Sequence, residues 1–336
     1  MKKREIYLEY QNYIDYNPID RSELHTQACA NDDATVNAWL PVWTKNIKEN
    51  HKKYGPFENN TAAQFFGYGK HKPVIVAGAG PSLKDNAHEL KNKGSVLLVS
   101  CLHNFHFLED LEINVDFYLT LDAGEVTIEE VSEGGTKTEE EYWKLTEGKK
   151  LLAYIGTSPR LLEKWRGEIY FFNAPVPHAE FIKLVDEIEV FNALFSTGGN
   201  VLGACLYFAK AFLGASIISF VGADLSFSYE KKFHGWDSKY DAKPGNVLRV
   251  TDVFGNKVST WKSYHNFKGW FEWVTMTVPG IYYNCSEGGT LGAYIDGNIR
   301  TIIQMPLAEF LKQLNVFEKL SSTIISKDTK DRIILF

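Results

Sequence analysis

The chain has 336 residues, a net charge of −6, 44% apolar and 23% charged residues, which is the balance of an ordinary globular protein with length enough for a large core. The acidic balance argues against a general nucleic-acid binder, and no apolar run approaches the roughly 18 residues of a membrane span. Cys29, Cys101, Cys205 and Cys285 have no short paired spacing, so neither a zinc cluster nor a disulfide framework is expected.

Residues 1–70 are rich in Tyr, Asn and charge, with one amphipathic stretch from Asn37 to Tyr54 carrying Leu40, Val42, Trp43 and Ile47. They read as a helical N-terminal appendage without a catalytic signal. The Met-Lys-Lys-Arg start is not followed by the apolar stretch of a signal peptide, so a cytoplasmic protein without a membrane span is expected.

From residue 71 the pattern changes to alternating strands and helices. The run Val74-Ile-Val-Ala77 is continuously apolar, as a strand buried on both faces should be. It leads into Gly78-Ala79-Gly80-Pro81-Ser82, where glycines permit a tight turn and close approach of a ligand, and Pro81 and Ser82 suit a helix start. Such a corner can hold a phosphate or a nucleotide. It departs from the dinucleotide fingerprint, because Leu83 stands where the third glycine belongs, and no Walker lysine follows.

Further strands are expected at 95–100, 115–121, 151–155 and 168–172, with helices at 84–93, 104–112 and 160–165 between them. Residues 125–150, charged and dotted with glycine, read as a solvated excursion. A buried helix over 201–213 follows Ser196-Thr-Gly-Gly-Asn200, with Ser196 or Thr197 as its cap and Gly198, Gly199 and Asn200 leaving its first amides open to an anion. Strand 217–221 then delivers Gly222-Ala-Asp224. Ser226 to Gly245 is a polar, aromatic loop with His234 and Tyr240, of a length that often serves as a lid. A hairpin turning at Gly255-Asn256, a helix around Tyr264–Val274, a strand over 280–284 ending near Glu287-Gly288-Gly289, and a helical tail complete the chain.

The fold class expected is α/β: a Rossmann-like, mainly parallel sheet with helices on both faces, occupying 71–310 between the appendage at 1–70 and a tail at 311–336. Ligands of such sheets gather at the carboxyl ends of the strands, where Gly78, Asp122, Gly156 and Asp224 would lie.

Three segments in order resemble a known group. Val74–Lys84, Ser196 to Asp224, and Glu287–Gly289 are similar to motifs of the motility-associated factor family, which resembles the bacterial sialyltransferases that use CMP-linked nonulosonic acids. The first motif is shared with 6-hydroxymethylpterin pyrophosphokinase-like proteins. The resemblance spans about residues 60 to 300. It implies a nucleotide-sugar transferase with a CMP-linked donor and an unidentified small-molecule, protein or glycan acceptor, and it leaves homo-oligomerisation open.

It also implies site residues. Gly78, Gly80, Pro81, Ser82, Thr197, Gly198, Gly199, Asn200 and Asp224 would hold the nucleotide, with Asn104 and Asp122 near its sugar or base. His234 would be the proton acceptor, with His265 as alternative; Tyr240, Tyr229 and Lys232 would meet the phosphate and Glu287 the acceptor. The alternative reading, diphosphate transfer from ATP, needs Mg²⁺, for which Asp122 and Asp224 would be the carboxylates. A non-catalytic nucleotide-binding protein is the third reading.

Overall fold

The central strands are built from the apolar runs. β1 (Val74–Ala77), β2 (Leu97–Cys101) and β3 (Phe117–Thr120) are buried along their whole length. Continuous burial of β-branched and aromatic residues is what a parallel sheet covered on both faces requires. The computed structural model of the chain describes residues 21–70, 72–174, 176, 178–188, 193–227, 247–293 and 301–315.

With β4 (Lys150–Tyr154), β5 (Glu168–Phe172), β6 (Ile217–Val221), β9 (Ile281–Asn284) and β10 (Ile302–Gln304), they form an eight-stranded sheet in the order β10-β9-β6-β1-β2-β3-β4-β5. Its neighbouring strands are all parallel. The chain builds outward from β1 to β5 and then returns to β1's other side at β6. That reversal opens a crevice at the carboxyl edge of β1 and β6, where open α/β sheets bind ligands. β7 (Val247–Thr251) and β8 (Lys257–Trp261) form a separate antiparallel hairpin. Its turn is shaped by Asp252, whose Oδ1 accepts from the Phe254 and Asn256 amides at 2.9 and 2.7 Å.

The helices, in chain order, are α1 (Arg21–Tyr54), α2 (Leu83–Asn86), α3 (Phe105–Asp110), α4 (Val126–Glu130), α5 (Glu139–Leu145), α6 (Pro159–Lys164), α7 (Ala179–Glu187), α8 (Val201–Tyr207), α9 (Lys262–Thr277) and α10 (307–315). α8 continues as a π-helical turn over Phe208–Phe212.

One expectation needs correction. Residues 125–150 are not a solvated excursion. They hold α4 and α5, and Tyr142 and Trp143 of α5 are buried. A reciprocal cap starts α5: Thr138 Oγ1 accepts from the Glu141 amide and Glu141 Oε2 accepts from the Thr138 amide. The strand β10 and helix α7 carry too little pattern to be read from sequence. Residue 310, the expected limit of the sheet domain, falls inside α10, and Phe310, Leu311 and Leu314 pack into the main core.

The appendage, too, is part of the body. Asn46 and Asn50 stand one helical turn apart on α1. Asn46 Nδ2 donates to Ala123 O and Gly156 O, both at 3.0 Å, beyond the ends of β3 and β4. Asn50 Nδ2 donates to Ile155 O at 2.8 Å and Thr157 O at 2.9 Å. These loop carbonyls have no ladder partner, and two buried amide side chains satisfy them. α1 therefore roofs the carboxyl edge of the β3–β4 side, which is why Gly156 lies under a helix and not in the crevice.

Candidate functional site

A cleft of about 340 Å³ opens at the β1–β6 crossover. Its walls are the ends of four adjacent strands: Gly78–Gly80 after β1, Cys101–His103 at β2, Leu119–Asp122 at β3 and Gly222–Ser226 after β6. The start of α8, Glu130 of α4 and Tyr264 and Phe267 of α9 complete it. Asp122 and Asp224, distant in sequence, share this one cleft.

The glycine corner after β1 does something other than the sequence suggested. Its amides are occupied within the protein: Gly78 N donates to Val221 O at 2.9 Å and Gly80 N to Gly222 O at 2.8 Å. Ser82 N donates to both oxygens of Asp224, at 3.2 and 3.3 Å, and Ser82 Oγ donates to Oδ2 at 2.7 Å. Pro81 has no amide hydrogen to offer. A Cβ on Gly80 would overlap Asp224 Oδ2 and come within 2.6 Å of Gly222 O. The glycines thus let the corners of β1 and β6 pack backbone to backbone. Gly78 and Gly80 still line the cleft, while Pro81 and Ser82 face away from it.

Asn104 lies behind the same corner. It is fully buried, and its Nδ2 donates to Gly78 O at 3.0 Å, Ser100 Oγ at 3.1 Å and Ala77 O at 3.3 Å. Its side-chain amide braces the turn and does not reach the cleft.

The second glycine segment comes closer to expectation. Asn200, not Ser196 or Thr197, caps α8, with Oδ1 accepting from Gly203 N at 2.8 Å. Thr197 Oγ1 accepts from Gly199 N at 3.2 Å and shapes the preceding turn. Gly198 is pressed under the Trp270 ring of α9, where no Cβ would fit. Neither Thr197 nor Gly198 lines the cleft, whereas Gly199, Asn200, Val201 and Leu202 do. The amides of Val201 and Leu202, the first two of the helix, have no preceding turn to bond to.

Glu287 is outside the cleft. Its Oε1 accepts from Leu307 N at 3.1 Å and from Asn86 Nδ2 at 3.3 Å, so it caps α10 and ties it to α2. His265 of α9 also lies outside the cleft lining, and burial pushes its pKa down to about 4. His234, Tyr240, Tyr229 and Lys232 fall outside the described residues.

The chemistry that sequence reading missed sits on the opposite wall. His103 Nδ1 and Glu130 Oε2 are 3.1 Å apart, with side chains 15% and 17% exposed. Asp122 stands beside them with its carboxyl exposed to the cleft. Although solvent reaches it, protein crowds it on every other side. That desolvation, with the Glu130 charge adding and His103 opposing, raises its pKa to about 6. Tyr264, half-buried near Asp122, is pushed above the usual phenol range, chiefly by desolvation. His103 follows directly on β2, and that position was the only available signal. Glu130 was hidden in the segment read as solvated.

Asp122 and Asp224, the carboxylates expected to hold Mg²⁺ in the diphosphate-transfer reading, both line the cleft. Both oxygens of Asp224 already accept from Ser82. Among the described residues no group of three or more His, Cys, Asp or Glu is placed to hold a metal ion.

A family model described as 6-hydroxymethylpterin diphosphokinase MptE-like matches residues 42–230. The chain belongs to this MptE-like family. The match runs from within α1, across the β1 and α8 corners, and past Asp224. No relative among the curated proteins matches the MptE-like chain. Among solved structures, it is similar to the MAf glycosyltransferase from Magnetospirillum magneticum AMB-1, at 16% identity and a TM-score of 0.54. That likeness covers 79% of this chain and 42% of the other, so the MptE-like chain spans less than half the length of that protein. At this identity the likeness establishes the shared Rossmann-like fold. Of the two names anticipated from the motifs, the pterin pyrophosphokinase type is met by the family model, and the motility-associated factor type by a shared fold. Among the described residues no helix is long and apolar enough to cross a membrane.

Proposed function

We propose that this chain is a nucleotide-dependent transferase that holds a CMP-linked sugar donor, of the nonulosonic acid class, in the β1–β6 cleft and passes the sugar to an acceptor hydroxyl. The observation that carries the reading is the division of the cleft into two chemically different walls. One wall is the start of α8, where Val201 and Leu202 offer amides suited to a single phosphate group. The other is the His103–Glu130 pair with Asp122, a proton-accepting surface.

Gly78 and Gly80 shape the crevice floor in this reading, and Asn200 holds the helix start in place. His234 and Tyr240, in the segment after β6, are proposed to face the acceptor. A cytoplasmic location is part of the same proposal, since activated nucleotide donors are held inside cells.

The family description favours a second reading, diphosphate transfer from ATP to a hydroxymethyl group. The two separate in one titration. Calorimetry with CMP, UDP and ATP, each with and without Mg²⁺, is expected to show metal-independent CMP binding. Binding of ATP with Mg²⁺ but not of CMP would overturn the sugar-transfer reading in favour of the second.

A further inference from the structure

We propose that Asp122 is the proton acceptor of the transfer, with Glu130 and His103 as positioning residues on the same wall of the cleft. The inference rests on the transferase reading above. It moves the role expected of His234 to a carboxylate on the opposite wall of the cleft.

Geometry is the first ground. Asp122 projects from the end of β3 into the cleft and is exposed there, so an acceptor hydroxyl can approach it. The other cleft aspartate is poorly placed for this: Asp224 is 5% exposed, and both its oxygens already accept from Ser82. The second ground is the cluster around Asp122. Glu130 comes from α4, His103 from the turn after β2 and Tyr264 from α9; among the described residues these are the titratable groups that act on it, with Cys101 of β2 also in the cleft lining. The His103–Glu130 contact is mostly buried, and a buried polar pair of this kind seldom stabilises a fold by itself. Its position against a solvent-open carboxylate gives it another use. Crowding by protein raises the Asp122 pKa most; Glu130 adds to the rise and His103 opposes it, bringing the carboxyl to about 6. That matches proton transfer near neutral pH.

In the step itself the acceptor oxygen bonds to the anomeric carbon as the bond from that carbon to the donor phosphate oxygen breaks. The bonding pair leaves with CMP. The acceptor proton passes to the Asp122 carboxylate and is later lost to solvent at the open cleft mouth.

The test measures CMP release from CMP-N-acetylneuraminic acid across pH 4.5–8.5, alongside CMP binding by calorimetry and a ¹³C-carboxyl titration of the free protein. Asp122→Asn should lower turnover about 10²–10⁴-fold while CMP affinity changes less than about threefold. The wild-type rate should rise with pH through a limb near that carboxyl's pKa. Glu130→Gln should move both limb and carboxyl titration to lower pH, and His103→Gln should move both to higher pH. A merely structural pair would not produce shifts of opposite sign. Turnover near wild type in Asp122→Asn, or a limb unmoved by Glu130→Gln, overturns the assignment; loss confined to His234→Ala would return the role to that residue. Absence of donor turnover and CMP binding in the wild-type protein overturns the transferase reading itself, and the base assignment with it. Binding and turnover that survive in Asp122→Asn overturn the base assignment alone.

Discussion

Ser82 grips Asp224 twice, from its amide at 3.2 Å and from its hydroxyl at 2.7 Å. The pair joins the first turn after β1 to the first turn after β6 across 142 residues of sequence. Both side chains are nearly inaccessible to solvent, and Ser82 supplies hydrogen bonds to both oxygens of the buried carboxylate. This contact closes the floor of the cleft at the point where the sheet order reverses.

Breaking that clamp should cost stability before it costs chemistry. Asp224→Ala leaves the Ser82 amide and hydroxyl buried without their acceptor and should destabilise the protein by about 2–3 kcal/mol. Ser82→Ala keeps the amide bond and should cost about 1–2 kcal/mol. Urea unfolding of the two variants checks the order, and an unchanged midpoint in Asp224→Ala would refute the clamp.

Gly80→Ala should be worse tolerated than an alanine at a glycine with space around it. The new Cβ has to displace Asp224 or the Gly222 carbonyl, and overpacking of this kind costs about 1–3 kcal/mol or more. Gly148, with φ +73° and open space around it, is the control, where backbone strain alone should cost about 1 kcal/mol. Thermal unfolding should therefore show Gly80→Ala melting below Gly148→Ala. The opposite order would remove the packing role assigned to the β1 corner.

α1 should come loose when its amide ladder is cut. In Asn50→Asp the side chain can no longer donate to Ile155 O and Thr157 O, and two buried carbonyls then face a carboxylate. Hydrogen exchange should accelerate through residues 40–54, and stability should fall by about 2 kcal/mol or more. Exchange confined to wild-type rates would show that α1 is held by its apolar contacts alone.

Acid should weaken the fold through His106. Burial, with His103 nearby, pushes its pKa down to about 4 from an ordinary value of 6.5. The unfolded chain therefore takes up a proton between those values while the folded chain does not, and stability falls as pH drops from about 7 toward 4. On its own this amounts to about 2–3 kcal/mol at pH 4.5. His265, depressed to about 4 as well, acts in the same direction. Asp122 acts oppositely, since its raised pKa makes the folded state bind a proton sooner. His106→Gln should flatten the decline in unfolding free energy measured between pH 7 and 4.5, and an identical slope would contradict a neutral buried imidazole.

Much of the fold was legible in the chain. The apolar runs at Val74, Leu97, Phe117, Leu151 and Ile217 each gave a strand, because a strand buried on both faces needs a short unbroken hydrophobic segment and little else can use one. The glycine and asparagine turns marked where those strands end, and alternation with helices implied a parallel sheet. β10, at the sheet edge with two of its three residues exposed, lacks such a run and could not be read. The α4–α5 segment was misread because charged outer faces outnumber the buried Tyr142 and Trp143 that anchor it.

The site was decided elsewhere. Local pattern puts Gly78, Asp122, Gly156 and Asp224 at strand ends, but strand order and the placement of α1 determine that three of them share a cleft and Gly156 is roofed over. Nor can sequence say which polar groups are already used. The Ser82 hydroxyl, the Gly80 amide and the Glu287 carboxylate all look available until their partners at Asp224, Gly222 and Leu307 come into place. The His103–Glu130 pair and its effect on Asp122 are likewise contacts between separate elements. Hydrophobic periodicity is a property of neighbouring residues and survives in the sequence. Hydrogen-bond occupancy and desolvation depend on atoms brought together from distant segments, so only the folded chain determines them.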